Sequence, residues 1–502
     1  MNKINVGFIG CGRISDLHYH GYRNNRDARV YAVCDSNEET ALQRKKQWKA
    51  ARHFTDYREM LEDPEIDAVE ILTPHTLHES MVIDSANAYK HIAVQKPVAV
   101  NLKSADRMLD VASGRGRVFR VTDNYAFYPP VILARKMIDS GDIGTPTNIR
   151  IKLLSGGSGG WEIPPEAWEW RVRENDQGNG MRGLQTFDHG HHLWTTAWYL
   201  LGGIERVNAW IDSLDGIIDS PAVIMWKHSN GIIYGSCEYA HEPELVIPSK
   251  YYANDEWIEI SGTRGVIQIH RCTGNVQEGP PVSLFNSRGW KHYSRVKCDW
   301  KEGFIGATNN FINSIKGDEE PLLSGVQARE ILRFSLSIQK SARTRREVYT
   351  EELDSAWPWL YTWNKIRADR KKASTRRGIL ALLGMGKGDK QYASMAKDLT
   401  AELVEKYDPD AVKNWKCSIG LNLHYDGQAP ELNFSLMINS GVLTFTEGEL
   451  PGSPDLVIKV PAGTWAAILL GKKRIETAFI QGRIKMEGRA EEALKLRSAF
   501  GI

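Results

Sequence analysis

The feature that most constrains this chain is its opening strand and the turn behind it. Ile4, Asn5, Val6, Gly7, Phe8 and Ile9 run into Gly10-Cys11-Gly12-Arg13-Ile14-Ser15. An apolar run that stops at a glycine, with a second glycine two residues on and a small residue three later, reads as strand, tight turn and helix. Gly10 supplies the backbone angles of the turn, Gly12 lets a phosphate approach the main chain, and Ser15 is small where helix meets strand. Amides exposed at the start of that helix attract anions. Glycine-rich turns also serve as plain connectors, so the surrounding sequence has to decide.

That context is favourable. A second apolar strand over 28–34 ends at Asp35, about 20 residues past the turn, where a carboxylate accepts the ribose hydroxyls of a dinucleotide. The expected cofactor is NAD, because a 2′-phosphate would meet the charge of Asp35; Arg13 and Ser36 leave some room for NADP. The strand over 66–72 ends in Thr73-Pro74-His75-Thr76-Leu77-His78, a loop at the carboxyl end of a strand, where a doubly wound sheet places its ligand. His78 either touches the cofactor or caps the next helix. A strand over 91–94 delivers Gln95-Lys96-Pro97 to the same edge. Lys96 then stands over the nicotinamide end as a candidate catalytic group, its backbone fixed by Pro97. Gly10, Gly12, Arg13, Ile14, Asp35, Thr73, Pro74, His78, Gln95 and Lys96 form the predicted cofactor set.

Beyond Asn124 the period changes. A helix over 129–140 and the turn Gly141-Asp142-Ile143-Gly144 precede strands over 148–154, 206–213, 222–228, 231–239, 257–261 and 265–270. Their alternation fits an open, largely antiparallel sheet with one covered face, and helices over 304–316 and 326–343 close this second domain. The insertion at 161–171 carries Trp161, Trp168, Trp170 and Arg171. Aromatic faces pack on sugar rings and arginine grips hydroxyls or an anionic group, with ordinary core packing the rival for each tryptophan. A helix follows with Asp188-His189-Gly190-His191-His192. The spacing of Asp188 and His192 predicts a carboxylate and an imidazole on one helical face, a pair suited to acid/base work, with Asp188 orienting His192. The histidines could also be structural, or hold a metal with the aspartate. The predicted catalytic set is Lys96, Asp188 and His192, without a metal. These three, with Asn124, Trp161, Trp170, Arg171 and His191, form the predicted substrate site.

A chain of 502 residues exceeds one hydrophobic core and predicts two or three domains. Lys plus Arg number 64 against 62 Asp plus Glu, a balance that argues against a chain devoted to nucleic acid or an anionic membrane. Six cysteines lie apart without a C-x-x-C pair, so neither a zinc site nor a disulfide framework is expected. No charged segment with an apolar core opens the sequence, and no apolar run reaches about 18 residues. A cytoplasmic enzyme, expected to be a homo-oligomer, is the resulting expectation.

Gly10-Cys11-Gly12, Thr73-Pro74, Gln95-Lys96-Pro97, Gly141-Asp142-Ile143-Gly144 and Asp188-x-x-x-His192 together resemble the Gfo/Idh/MocA oxidoreductases over roughly residues 1–350. The resemblance implies a Rossmann NAD-binding domain over 1–123, an α+β substrate domain over 124–350, and catalytic roles for Lys96, Asp188 and His192. Gln95 departs from the glutamate of that family and removes a charge beside Lys96. Residues 351–389 carry a basic run through Lys365, Arg367, Arg370, Lys371, Lys372, Arg376 and Arg377 and read as a connector. The order of elements over 390–502, with a late Gly-x-Ile-x-Met-x-Gly, is similar to the SCP2 sterol-carrier-like domain. Such a fold can enclose an apolar tunnel and its ligand. Leu432, Phe434, Leu436, Ile458, Trp465, Ile468 and Leu469 read as ordinary core. The functional expectation is hydride transfer between NAD and a secondary alcohol of a sugar, glycoside or cyclitol. The alternatives are a glycosidase working by transient oxidation, elimination and re-reduction with retained NADH, and, in another class, a redox-sensing or lipid-carrying protein.

Overall fold

The computed structural model describes residues 3–162, 169–172, 184–214, 218–270, 276, 278–374, 389–412, 414–425, 431–473, 475–480, 482–489 and 491–500. Trp168, Arg376 and Arg377, singled out from the sequence, lie outside these residues. Contacts divide the chain into two compact units, Met1–Pro358 and Trp359–Ile502.

The first unit opens with six parallel strands, β1 (Ile4–Ile9), β2 (Ala28–Cys34), β3 (Arg52–Phe54), β4 (Ala68–Ile71), β5 (His91–Gln95) and β6 (Phe119–Thr122), in the order β3-β2-β1-β4-β5-β6. The order reverses between β1 and β4. Helices α1 (Arg13–Tyr22), α2 (Glu38–Trp48), α3 (Tyr57–Leu61), α4 (His78–Asn87) and α5 (Leu102–Ser113) make the crossovers. Strand ends at the switch point face a crevice in which α/β sheets bind ligands.

After α6 (Pro129–Asp139) the chain enters a nine-stranded sheet: β7 (Pro146–Ser158), β8 (Ile204–Ile211), β9 (Ala222–His228), β10 (Tyr234–Val246), β11 (Asn254–Gly262), β12 (Gly265–Ile269), β13 (Val282–Asn286), β14 (Gly289–Tyr293) and β15 (Val348–Tyr349). Only β7 and β10 pair in parallel. Burial alternates along β7 and β9, so one face carries the core: Ile149, Ile151, Leu153 and Ile224 are buried, each stabilising the fold by about 1.5–3 kcal/mol relative to exposure. Helix α7 (Gly190–Leu201) lies on that sheet at β7 and α6 at β12 and β13, α8 (Lys301–Lys316) packs against α1 and β6, and α9 (Gly325–Thr344) lies along β8 and β15. The sheet extends beyond the expected strands by the hairpin β13–β14 and by β15.

The two sheets belong to one unit because helices seat them together. A Cβ on Gly21 of α1 would fall 2.1 Å from Thr308 Oγ1 of α8, so these helices touch backbone to side chain. Arg120 of β6 is wholly buried, donates to the Ala307 carbonyl and lies over the rings of Phe127 and Phe311. Burial pushes its guanidinium down to about 10, which still leaves it charged at neutral pH.

The second unit holds all but the first residue of α10 (Pro358–Ser374), then α11 (Ala396–Glu405), β16 (Lys416–His424), β17 (Leu432–Asn439), β18 (Val442–Glu447), β19 (Leu456–Pro461), α12 (Ala462–Leu469), α13 (Ile475–Ile480), β20 (Lys485–Gly488) and α14 (Glu492–Phe500). Its sheet runs β18-β17-β16-β19-β20. Much of the segment expected as a connector is helix α10, and its Trp363 stacks on Phe479 at 3.7 Å within this unit. Phe434, Leu436, Ile458, Trp465 and Ile468 are buried in one core. An apolar cavity of about 50 Å³ remains among Leu403, Ile419, Leu421, Ile458 and Trp465, against about 30 Å³ for one water in the liquid.

Candidate active site

A cleft of about 1150 Å³ runs from the Gly10–Gly12 turn to the inner face of the nine-stranded sheet. Gly10 sits at φ +96°, and a Cβ there would lie 2.6 Å from the Leu72 carbonyl, so the turn excludes other residues at that position. Gly12 differs: its φ is −66° and an added Cβ would meet nothing within 4 Å. The chain's own packing does not demand glycine at 12; the open space beside it belongs to the cleft. Ser15 Oγ donates to the Gly12 carbonyl at 2.5 Å and holds the turn. Asp35, at the end of β2, accepts from the Cys11 amide at 2.8 Å and the Asn37 amide at 3.0 Å. Arg13, Ile14, Asp35, Thr73, Pro74, Gln95 and Lys96 line the same cleft. This cradle fits a dinucleotide.

Lys96 and Asp188 meet across the two domains. Lys96 Nζ lies 2.7 Å from Asp188 Oδ1 and donates to the Asp188 carbonyl at 2.8 Å. Arg171 Nε is 3.3 Å from Asp188 Oδ2 and His75 Nε2 is 3.6 Å from Oδ1. The ammonium, guanidinium and imidazole hold the buried Asp188 carboxyl well below its ordinary range, against the desolvation that would raise it.

Asp188 does not orient His192, contrary to the expectation from their spacing. The stretch Leu184–His189 is a π-helical turn, and its wider winding turns Asp188 away from the face that His192 occupies at the start of α7. The turn is pinned from a distance: the amides of Gln185 and Thr186 donate to Asp219 at 2.7 and 2.8 Å, and Trp194 Nε1 donates to the Thr186 carbonyl at 3.0 Å. The carboxylate beside His192 is Asp123, which follows β6 and meets His192 Nδ1 at 2.7 Å. Burial lowers the His192 pKa and the imidazole holds the Asp123 carboxyl far down. Tyr125 stacks on the His192 ring at 4.5 Å. Among the described residues His192 Nε2 has no hydrogen-bond partner, and the ring lines the cleft.

Three expected site residues lie behind the wall. His78 is wholly buried, with Pro97 and Thr73 carbonyls at 3.0 Å from its two ring nitrogens. It ties two strand-end loops and neither faces the cofactor cleft nor caps α4 through its side chain. Burial drives it down to about 4, so the ring is neutral and donates to one of those carbonyls. His191 is also buried and held at about 3 by desolvation; an α-helical step of about 100° from His192 turns it off the cleft. Asn124 is buried where Gly303 of α8 crowds its carbonyl.

Trp161, Trp170 and Arg171 do line the cleft. Trp161 packs edge-on against Tyr251 and Tyr252, and Arg13 lies over its indole while donating to the Glu162 carbonyl at 2.9 Å. Trp170 stands edge-on to His75, with Arg171 over its ring. Gln95 donates to His18 Nε2 at 3.1 Å, and His18 Nδ1 meets the buried Glu70 at 2.5 Å. A neutral side chain at 95 thus sits above a carboxylate already supplied from β4. Sequence reasoning missed Asp123, Glu256 and His75 as parts of the site. Asp123 and His75 both follow strand ends of the parallel sheet, the position already used for Thr73 and Lys96. Among the described residues no cluster of three or more His, Cys, Asp or Glu is arranged to hold a metal, and no helix is long and apolar enough to cross a membrane.

A dinucleotide cradle that opens onto a buried lysine–aspartate pair and a histidine defines an NAD-dependent oxidoreductase. The chain belongs to the Gfo/Idh/MocA family: residues 4–123 match the oxidoreductase family's NAD-binding Rossmann fold and 131–268 its C-terminal domain, while 396–501 match the SCP-2 sterol transfer family. The myo-inositol 2-dehydrogenase of Thermotoga maritima is 26% identical over 360 residues, covering 69% of this chain and 99% of that protein. The levoglucosan dehydrogenase of Pseudarthrobacter phenanthrenivorans is 30% identical over 218 residues, 42% of this chain and 54% of its own. Among solved structures, a probable dehydrogenase from Thermotoga maritima superposes with TM-score 0.57 at 26% identity, over 70% of this chain and 100% of that one. Levoglucosan dehydrogenase in complex with NADH and L-sorbose shares the fold with TM-score 0.59 at 22% identity, over 70% and 99%.

Proposed function

We propose that this enzyme oxidises a secondary alcohol of a sugar, glycoside or cyclitol, with His192 as the base, Lys96 as the group that polarises the reacting oxygen, and NAD preferred over NADP. The observation that carries the reading is that two separately held groups, Lys96 on Asp188 and His192 on Asp123, line one cleft with the Gly10–Gly12 turn. Gly10, Gly12 and Asp35 would hold NAD, which when bound would supply the hydride acceptor for the carbinol carbon. The carboxylate of Asp123 keeps the proton of His192 on Nδ1, so Nε2 presents a lone pair and takes the hydroxyl proton. The Lys96 ammonium, held by Asp188, stabilises negative charge on the oxygen as it becomes a carbonyl. Trp161, Trp170 and Arg171 border the substrate. Asp35 would accept from the ribose hydroxyls of NAD and would repel a 2′-phosphate. The names of the relatives, dehydrogenases of myo-inositol, levoglucosan and D-apiose, support a carbohydrate-like substrate.

A cytoplasmic location and assembly into a homo-oligomer belong to the same reading. The five cysteines among the described residues are all free and support the first, and the exposed Trp210, Val223, Met225 and Tyr234 on one face of the nine-stranded sheet support the second. The test is NADH formation with myo-inositol, levoglucosan and D-apiose, using wild type and His192→Ala. At least one alcohol is oxidised, and the variant loses about 10²–10⁴ in single-turnover rate while binding NADH nearly as before. A fully active His192→Ala variant moves the base elsewhere.

A further inference from the structure

A second histidine–carboxylate pair faces the same cleft, and the hydride-transfer mechanism leaves it unused. His189 closes the π-turn, lines the cleft and keeps 15% of its side chain exposed. Its Nε2 lies 3.1 Å from Glu256 Oε1 on β11. Glu256 is wholly buried, and the same oxygen accepts from Tyr125 Oη at 2.8 Å and from the Asn254 amide at 3.1 Å; that amide also lies 2.9 Å from His189 Nε2. The Asn254 NH2 donates to the same Glu256 oxygen, and the carboxylate's charge outweighs that neighbouring donor and holds the His189 proton on Nε2, which leaves a lone pair on Nδ1. Among the described residues Nδ1 has no partner. The His189 and His192 rings are 5.5 Å apart, and Tyr125 ties the two pairs, its ring on His192 and its hydroxyl on Glu256. Two bases at that separation reach neighbouring carbons of one polyol.

We infer that His189 with Glu256 is a second acid/base pair, which exchanges the hydrogen on the carbon next to the one oxidised; this rests on the oxidoreductase reading above. Once the alcohol is a ketone, the adjacent C–H bond is acidic. It breaks with the proton passing to His189 Nδ1 and its electron pair forming the new C–C π bond, while the carbonyl π pair moves to oxygen beside the Lys96 ammonium. Return of a proton to carbon restores the ketone, and no oxidant or reductant beyond the bound cofactor takes part. Glu256 stabilises the imidazolium formed in between. Such an enolate is the intermediate through which a neighbouring centre is inverted or an oxygen substituent β to the ketone is expelled.

The test uses the full chain with bound NAD in D₂O. L-sorbose and 2-keto-myo-inositol are supplied as ready-made ketones, and myo-inositol, levoglucosan and D-apiose as alcohols. NMR should find solvent deuterium next to the carbonyl of at least one recovered ketone, above the buffer rate. His189→Gln, which can still hydrogen-bond a hydroxyl, and Glu256→Gln should each lower exchange by about 10²–10⁴ and do so more steeply than they lower NADH formation. If Glu256→Gln does not fold, His189→Gln decides alone. No exchange of either ketone by wild type overturns the inference, as does His189→Gln exchange at the wild-type rate, which leaves His189 a hydroxyl anchor. Exchange of a ketone without NADH from any alcohol instead refutes the oxidoreductase reading and spares the pair.

Discussion

Asp123→Asn isolates the orientation of His192. In the native protein the carboxylate meets Nδ1 at 2.7 Å with its side chain buried, and it also accepts from the Tyr125 amide at 3.1 Å. Asparagine keeps an oxygen for that amide, whereas alanine would remove the cap at a cost of about 0.5–2 kcal/mol; the amide is therefore the cleaner probe. Loss of a charge-assisted hydrogen bond from the imidazolium removes about 1.5–3 kcal/mol of stabilisation as the proton arrives. That corresponds to about 10–150-fold in rate. If the new amide instead turns its NH₂ toward Nδ1, the proton moves to Nε2, the base is lost, and the fall approaches about 10⁴. The pH profile separates this from a structural defect. Burial lowers the His192 pKa and Asp123 raises it in opposition, so removing the charge disfavours the imidazolium further and moves the acid limb to lower pH while the plateau drops. Stopped-flow single turnovers across pH measure both. A variant within twofold of wild type, or one with a depressed plateau and an unmoved acid limb, refutes the assignment.

Gly12→Ala should leave the melting temperature nearly unchanged, since its Cβ would meet no atom, yet weaken NADH binding at least tenfold; Gly10→Ala, forced to φ +96° and against the Leu72 carbonyl, should lose both. Thermal melts and fluorescence titration check the contrast, and tight cofactor binding by Gly12→Ala would refute the phosphate placement. Asp35→Ala should narrow the NAD/NADP preference, read from paired titrations; an unchanged ratio places the ribose elsewhere. The buried rings of His75, His78 and His191 are held at about 3, 4 and 3, against about 6.5 in the unfolded chain. The unfolded state therefore binds more protons below pH 6.5. Stability is full above that value and falls as pH drops toward 4, at up to about 1.4 kcal/mol per pH unit for each ring. A melting temperature that is flat from pH 7 to 5 contradicts those neutral rings.

The cofactor half of the site was legible because its physics is local. Gly10 needs its φ, Asp35 closes a strand at a fixed distance from the turn, and right-handed β-α-β crossovers leave Thr73 and Lys96 at one sheet edge wherever the rest of the chain goes. The acid/base half depends on distant partners. Four-residue spacing implies contact only in an α-helix, and nothing in residues 184–189 announces a π-turn, since Asp219, which pins it, lies 34 positions from Gln185. His192 likewise finds its carboxylate 69 residues away, and the sole local signal was that Asp123 ends a strand of the parallel sheet. The missed strands have a related cause: β13 and β14 are five residues each, and β15 is a two-residue strip whose pairing with β8 is set by α9. That division bears on mechanism. On the proposed mechanism, cofactor binding rests on one locally coded element and the bases on contacts between strand ends, a π-turn and a second sheet, so moving a carboxylate between histidines would change the reaction while the cradle stays as it is.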